Sequence, residues 1–516
     1  MKHLFTLVAL SAVTLFGQTS FWTPTSYRGA FAPAPTTQWT DGWTNWDAQN
    51  TVYPIHTQTV SGELLSSLTW TSSNVYLVQG PVYLKSSLTI QPGTVILFDK
   101  NTAGSALIVT KQGTLYAEGT ATQPIVFTSS AVPGQRTIGD WGGIVILGEA
   151  VNNIPPNTAA GSNAGIGNIE GLPTSANTEY GGNNDQDSSG VLKYVRIEFG
   201  GYAYMPDKEI NGLTFGSVGS KTVVDYVQVS FTNDDAFEWF GGTVNCKHLV
   251  SYRNLDDDMD CDFGYRGKVQ FALIVRDPFI ADQSSGSTSE GFECDNDGAG
   301  SNNGPKTAAT FSNVTAIGPL RGNLQATVDP KFRRALRLRR NSEMKIFNSV
   351  FTDFKDGIHI DGTSTETNAL QNRLVFQNNL IAGCSGKFIL RGTNPSFNAG
   401  AWYFTSNDTL AASTGLFTTP YSYLQPDYRP SATSGLDTGA SFNDTNLIGN
   451  TISVAEFNSP ISLYPNPVAD QLYSQEQALI FDNTGRVVGK LEKGWNDLGY
   501  LPKGVYTVKN IRVIKQ

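Results

Sequence analysis

The densest group of chemically active side chains in the sequence is a run of carboxylates between residues 234 and 297. We predict a binding surface made of Asp234, Asp235, Glu238, Asp256, Asp257, Asp258, Asp262, Glu290 and Asp295. Ca²⁺ takes several carboxylate and carbonyl oxygens, and its predicted ligands are Asp257, Asp260 and Glu293. The alternative is a solvated ladder of turns in which Asp side chains cap backbone amides without a metal.

A basic segment, residues 331–340, follows the acidic one and ends in Arg337, Arg339 and Arg340. A metal beside such a group could acidify the C5 proton of a uronate, and an Arg could then remove that proton. A carboxylate pair could instead hydrolyse a glycosidic bond. Neutralisation of the acidic ladder, with no catalysis, is the third interpretation. The candidate catalytic residues are Asp260, Glu293, Arg337 and His359.

Six three-residue segments predict how these side chains are held. They are 237–239, 259–261, 292–294, 336–338, 358–360 and 388–390. A repeating coil of about 22 residues, lengthened in places by loop insertions, accounts for their spacing. Alternate residues of a strand face opposite sides, so the outer, apolar members would stack inside. The central members would form an outward ladder of Glu238, Asp260, Glu293, Arg337, His359 and the apolar exception Ile389.

Short strands separated by Gly turns also occupy residues 76–128, and we place Gly at the corners of the coils. The segments 107–110, 119–128 and 141–144 resemble coils of bacterial surface proteins with a right-handed parallel β-helix. This resemblance implies an all-β solenoid, which we expect over residues 71–450. We expect residues 18–70, which hold Trp39, Trp43 and Trp46, to cap the first coil; an aromatic platform for sugars is the alternative.

Cys261 and Cys294 would occupy equivalent inward positions on neighbouring coils. Stacked positions are near the separation that a disulfide needs, and an exported protein could oxidise them. Two buried free thiols are the alternative.

The two ends of the chain carry export features. Lys2, His3 and a short apolar run predict a signal peptide over residues 1–17. The segments 464–468, 481–488 and 498–509 resemble the C-terminal sorting domain of the type IX secretion system of Bacteroidota. That resemblance implies a small β-sandwich over residues 451–516, contact with the secretion machinery, and a final location outside the cell, anchored or released.

Composition narrows the possible functions further. The 52 Gly and 16% charged residues argue against long helices, and the sequence has no apolar run long enough for a transmembrane segment. A net charge of −9 opposes nucleic-acid binding. No motif of a known catalytic class is present. The sequence therefore favours adhesion or glycan binding at the cell surface, with a polysaccharide lyase, a glycoside hydrolase or a structural surface component as alternatives.

Overall fold

A computed structural model describes residues 20–156, 165–205, 208–323, 327–448, 463–464, 468–474, 477–482, 487–508 and 511–515. The chain forms two compact units, one comprising Pro24–Phe442 and the other comprising Met1–Thr23 with Asn443–Gln516. The predicted signal peptide at residues 1–17 lies outside the described residues.

The larger unit is built almost entirely of short strands. In chain order these are β1 Gln58–Leu64, β2 Leu68–Trp70, β3 Val75–Leu84, β4 Ser87–Ile90, β5 Val95–Phe98, β6 Ala106–Val109, β7 Thr114–Glu118, β8 Ile125–Ser129, β9 Ile144–Leu147, β10 Gly167–Asn168, β11 Glu179–Tyr180, β12 Gly190–Glu198, β13 Ala203–Met205, β14 Lys208–Glu209, β15 Leu213–Gly216 and β16 Val223–Ser230. They continue with β17 Phe237–Phe240, β18 Asn245–Tyr252, β19 Met259–Asp262, β20 Lys268–Val275, β21 Phe292–Cys294, β22 Thr310–Ile317, β23 Arg334–Leu338, β24 Lys345–Phe347, β25 Val350–Thr352, β26 Asp356–Ile360, β27 Val375–Gln377, β28 Leu380–Ala382, β29 Ile389–Arg391, β30 Asp408–Leu410, β31 Phe417–Thr419 and β32 Asp427–Pro430. Two short helices, α1 Thr363–Leu370 and α2 Ala399–Tyr403, and a 3₁₀ turn at Arg321–Asn323 interrupt them.

Twenty-six of these strands pair into one continuous sheet, whose ladders are parallel, and the unit is a right-handed parallel β-helix. Each coil contributes to three faces. Face 1, which carries the candidate site, stacks β6, β9, β15, β17, β19, β21, β23, β26 and β29. Apolar side chains fill the interior, as expected for strands whose alternate residues point inward.

One corner of the coils lies within β12, β16, β18, β20 and β22. Non-glycine residues make this corner, which differs from the expected Gly corners. Tyr194, Tyr226, His248, Phe271 and Asn313 occupy it on successive coils, with φ between 50° and 62°. Neighbouring rings stack with centroids 4.2 to 5.1 Å apart along this column. The stacking offsets the strain of a left-handed backbone at bulky residues.

An N-terminal strap, residues 27–57, runs lengthwise along the coils from the last to the first. Its hydrogen bonds are Gly29 N–H to Asn348 O (2.8 Å), Ala30 N–H to Thr315 Oγ1 (2.8 Å), Asn45 N–H to Gln228 Oε1 (2.8 Å), Tyr53 O–H to Glu198 Oε2 (2.9 Å) and Thr57 N–H to Val75 O (2.8 Å). Because coils of a solenoid otherwise contact only their neighbours, the strap couples coils that are far apart.

The tryptophans of the strap lie against the middle coils and not over the first coil. Trp39 contacts His248 with ring centroids 5.1 Å apart, and Trp43 contacts Tyr226 at 5.9 Å. The cap expected over the first coil is therefore corrected. The rings pack where the corner column offers aromatic partners, whereas the first coil, starting at β1, is already part of the solenoid.

The predicted outward ladder is confirmed over five coils. Glu238 pairs in register with Asp260, Asp260 with Glu293, Glu293 with Arg337, and Arg337 with His359. The sixth segment is shifted by one residue. Leu390, and not Ile389, continues the column after His359, because the strand is Ile389–Arg391.

Cys261 and Cys294 are in-register neighbours on adjacent coils, as expected, and both are buried. They are free thiols in the structure, so the predicted disulfide is not formed. Parallel in-register positions point both side chains in the same direction, and burial raises the pKa of the Cys294 thiol well above its ordinary value.

The smaller unit contains two antiparallel sheets. Their strands are β33 Leu463–Tyr464, β34 Gln471–Ser474, β35 Ala478–Phe481, β36 Val487–Leu491, β37 Gly494–Asp497, β38 Gly504–Val508 and β39 Ile511–Lys515. Buried Leu472, Ile480, Leu491 and Val508 belong to its apolar core, which makes this unit a small β-sandwich.

Candidate functional site

An acidic cleft of about 460 Å³ opens on the side of the β-helix where the turns enter face 1. Nine carboxyl groups line it together with only two guanidinium groups. Its lining consists of Glu170, Asn211, Asp234, Asp235, Glu238, Phe240, Asp256, Asp257, Asp260, Asp282, Ser284, Ser285, Gly286, Ser287, Thr288, Glu293, Arg337 and Arg339. The cleft therefore combines nine acidic residues, called the carboxylate floor below, with the hydroxyl wall of residues 284–288.

The carboxylates of the turns hold successive coils together. Asp235 Oδ1 accepts the backbone N–H of Asp257 at 2.8 Å, and Asp257 Oδ1 accepts that of Glu290 at 2.5 Å. Glu290 Oε2 accepts the N–H of Arg334 at 2.6 Å. The expectation that Asp side chains cap turn amides thus describes Asp235 and Asp257 correctly. One oxygen of each carboxylate serves the fold, which fixes the direction of the other.

Two groups of carboxylates bring their oxygens within 4.8 Å of one another, and both include Asp235. One group is Asp234, Asp235 and Asp256, and the other is Asp235, Glu238 and Asp260. Either could hold a divalent cation through oxygen ligands. The predicted Ca²⁺ ligands overlap with these groups only at Asp260. Asp257 and Glu293 line the same cleft but belong to neither group.

Burial and mutual repulsion raise the pKa values of these carboxyl groups. Burial, followed by the charge of Asp234, raises the pKa values of Asp235 and Glu238 well above their ordinary range. The pKa of Asp260 is raised well above its usual value by burial and then by Glu238.

Burial and Asp257 likewise raise the pKa of Asp256 well above its ordinary value. The pKa of Glu293 rises to about 7, again first through burial and then through Asp257, with Arg339 opposing the shift. A positive charge placed beside such a carboxyl group favours its ionised form and lowers its pKa.

Arg337 and Arg339 form the basic rim of the cleft. Arg337 donates to Glu293 at 3.2 Å and to Asp361 at 3.1 Å. Arg339 pairs with Glu293 and, at 2.7 Å, with Asp295. Both guanidinium groups are therefore already paired with carboxylates on face 1 or directly after its strands.

Five of the predicted site residues lie outside the cleft lining. Asp258 is buried and pairs with Arg276 at 2.7 Å, so it faces the interior. Glu290 is held by Arg334 at 2.6 Å. Asp295 pairs with Arg339 and with Arg340 at 2.7 Å. Asp262 and His359 occupy face 1 beyond the cleft, and His359 Nδ1 lies 3.8 Å from Asp361.

Sequence reasoning missed several lining residues. Asn211 precedes β15 by the same two positions by which Asp235 precedes β17, so counting back from each inward residue would have found it. Asp282 and the hydroxyl wall, residues 284–288, lie in the loop between β20 and β21. Lys331 Nζ holds this loop by donating to Ser284 O at 2.6 Å.

Two buried oxygens at the cleft have no hydrogen-bond partner within the described residues. They are Oδ1 of Asp256 and Oδ1 of Asn211. Asn211 is only 4% exposed, and its amide nitrogen donates to Glu238 and, at 3.2 Å, to Thr214. A buried acceptor without a donor is costly, so each oxygen marks a place where a ligand would add a bond.

Across the described residues, none of the helices has the length and apolarity needed to cross a membrane. No curated protein matches the sequence. Among solved structures, the Dettilon tailspike protein (gp208) is similar at 10% identity and a TM-score of 0.19, with 68% of this chain and 61% of the tailspike chain covered. The chain thus spans about 61% of that structure's length.

The family match is far more extensive. The description "pectate-lyase like beta helix domain" matches residues 62–415, which contain all of β2 to β30 and the whole acidic cleft. The chain therefore belongs to the family of pectate-lyase-like β-helix domain proteins.

Proposed function

We propose that this protein is exported to the cell surface and binds a glycan in the acidic cleft of its β-helix. Export rests on the N-terminal apolar run and on the resemblance of the C-terminal segments to a sorting domain. The cleft supplies the binding site. Adhesion through such a glycan is the role that these features support together.

The acidic cleft is the observation that carries this proposal. A volume of about 460 Å³ lies in the range of small-molecule sites and accommodates more than a single ion. Carboxylates accept hydrogen bonds, and hydroxyl groups both donate and accept them, which suits the hydroxyl-rich surface of a sugar. The rungs of face 1 also hold the site on regular strands, so its geometry is set before a ligand arrives.

Binding of glycans by the full mature chain tests the proposal. We expect a panel of neutral, uronate-containing and amino-sugar oligosaccharides to include a ligand with saturable calorimetric binding. Asp260→Asn, which changes a residue of the cleft floor, should weaken it, whereas Glu118→Gln is the matched control because Glu118 is exposed and does not line the cleft. Absence of binding across the panel, or equal loss in both variants, would contradict the proposal.

A divalent cation is an added component of the proposed site. Ca²⁺ at either carboxylate group would be held by oxygens of Asp235 together with two neighbours. We expect the intact chain to take up Ca²⁺ in calorimetry and Asp235→Asn to lose most of that uptake, because both groups share this residue. Unchanged uptake by the variant would place the cation elsewhere.

Glycan cleavage is a second candidate function, and one specific contact favours it. Arg337 lies 3.2 Å from Glu293, whose pKa of about 7 allows it to exchange a proton near neutrality. A lyase would yield an unsaturated product that absorbs ultraviolet light, and a hydrolase would yield only new reducing ends. Turnover that Glu293→Gln and Arg337→Ala abolish would support cleavage, and binding without either product would exclude it for the tested glycans.

A further inference from the structure

The charges that line the acidic cleft are strongly unbalanced. Nine carboxyl groups face two guanidinium groups, and both of these already pair with carboxylates. A uronate would add negative charge to this surface, and a neutral sugar would leave the imbalance unchanged. A ligand that carries positive charge reduces the repulsion between these carboxylates.

The unpartnered acceptors occur at two separate places. Asp256 belongs to the carboxylate group with Asp234, whereas Asn211 lies beside Glu238 of the other group. One small cation at one group would leave the other oxygen without a partner. An oligomeric ligand with donors at repeated positions can donate to both oxygens. Charged donors form stronger hydrogen bonds with buried acceptors than neutral donors do.

The hydroxyl wall, residues 284–288, adds uncharged hydrogen-bonding groups to the lining, and its Ser287 hydroxyl lies 3.4 Å from Asp256 Oδ2. Ser284, Ser285, Ser287 and Thr288 present hydroxyl groups there. Hydroxyl groups of this kind pair with the hydroxyls of a sugar ring and contribute no charge. The cleft thus offers carboxylates for positive charge and hydroxyl groups for polar, uncharged groups.

We infer that the ligand of the acidic cleft is an amino-sugar glycan with free, protonated amino groups. This inference rests on the proposed function and names its ligand class. The ammonium groups donate to Asp256 and Asn211 and lie among the carboxylates, and the ring hydroxyls face the wall at residues 284–288.

Calorimetry on the full mature chain tests this inference with four probes: glucosamine oligomers, their fully N-acetylated counterparts, galacturonate oligomers and CaCl₂ alone. Mildly acidic buffer keeps the amines protonated. We expect glucosamine oligomers to bind at least about tenfold more tightly than the acetylated ones, since acetylation removes the charged donors. Ca²⁺ should compete with the glucosamine oligomers, because it would bind the same carboxylates.

Variants give the second arm of the test. Asp256→Asn keeps the shape of the side chain and should lower the affinity for glucosamine oligomers about tenfold, whereas Glu118→Gln should leave it unchanged. Thermal melting confirms that both variants are folded. Equal binding of acetylated oligomers overturns the inference and leaves the proposed function intact, as does preference for galacturonate with Ca²⁺. No binding of any oligomer overturns both.

Discussion

The change Glu293→Gln should stabilise the protein at alkaline pH, although it removes a carboxylate that contacts two arginines. Glu293 is largely buried, and its pKa is about 7 against an ordinary value of 4.5. Each pKa unit corresponds to about 1.4 kcal/mol, so ionising this group costs the folded state about 3 kcal/mol relative to the unfolded chain. Gln has nearly the same shape and cannot ionise.

The sign follows from the direction of the shift. A carboxyl group with a raised pKa in the folded state stabilises that state at low pH and loses this contribution as the pH rises towards about 7. The free energy of unfolding of the wild type should therefore fall between about pH 5 and about pH 8. Glu293→Gln should not show the part of this fall that Glu293 causes. The difference between the two proteins should approach 3 kcal/mol at the higher pH and be small at the lower one.

Equilibrium unfolding in guanidinium chloride, followed by tryptophan fluorescence at both pH values, measures this difference. Glu118→Gln is the control, because it removes an exposed carboxylate on β7. If Glu293→Gln instead lowers the stability at about pH 8, then the ion pairs to Arg337 and Arg339 outweigh the cost of burial and the reasoning is refuted.

Three further perturbations test other parts of the structure. Arg276→Met leaves Asp258 buried without its partner 2.7 Å away and should lower the free energy of unfolding by about 3–5 kcal/mol, measured by thermal unfolding. The double variant with Asp258→Asn should recover most of this loss. No recovery would refute the pairing. Trp43→Ala empties a buried site beneath the strap and should cost about 3–5 kcal/mol, with faster proteolysis in residues 27–57; unchanged cleavage would mean that this ring does not hold the strap. Cys261 and Cys294 should react with a thiol reagent only after denaturation, because both are buried, and the reaction should need no reductant. A requirement for reductant would show a disulfide.

The register of face 1 could be predicted where the three-residue segments alternate apolar and polar residues. Phe237-Glu238-Trp239 leaves no doubt about which side faces inward. The prediction failed at residues 388–390, where three consecutive apolar residues contain no alternation. A shift of one residue reverses every side chain of a strand, so such a segment needs the neighbouring coil to set its register.

The site was predictable only where it lies on the repeat. Asp235 and Asp257 are in adjacent turns that differ by one uninterrupted coil, and the sequence spacing shows this directly. Asp282 and the hydroxyl wall lie in the insertion between β20 and β21, whose length hides the coil spacing. The role of Asp258 was equally hidden, because its partner Arg276 belongs to another coil and only the packed interior brings the two together.

The strap imposes an order on folding. Gly29 and Ala30 leave the ribosome early, but Asn348 and Thr315, to which they bond, follow about 300 residues later. Closing so long a loop is entropically costly, and contacts at this sequence separation slow folding. The first segment of this unit to be synthesised is thus among the last to reach its final place. Until then the aromatic corner column stays uncovered, as a surface that a chaperone could recognise.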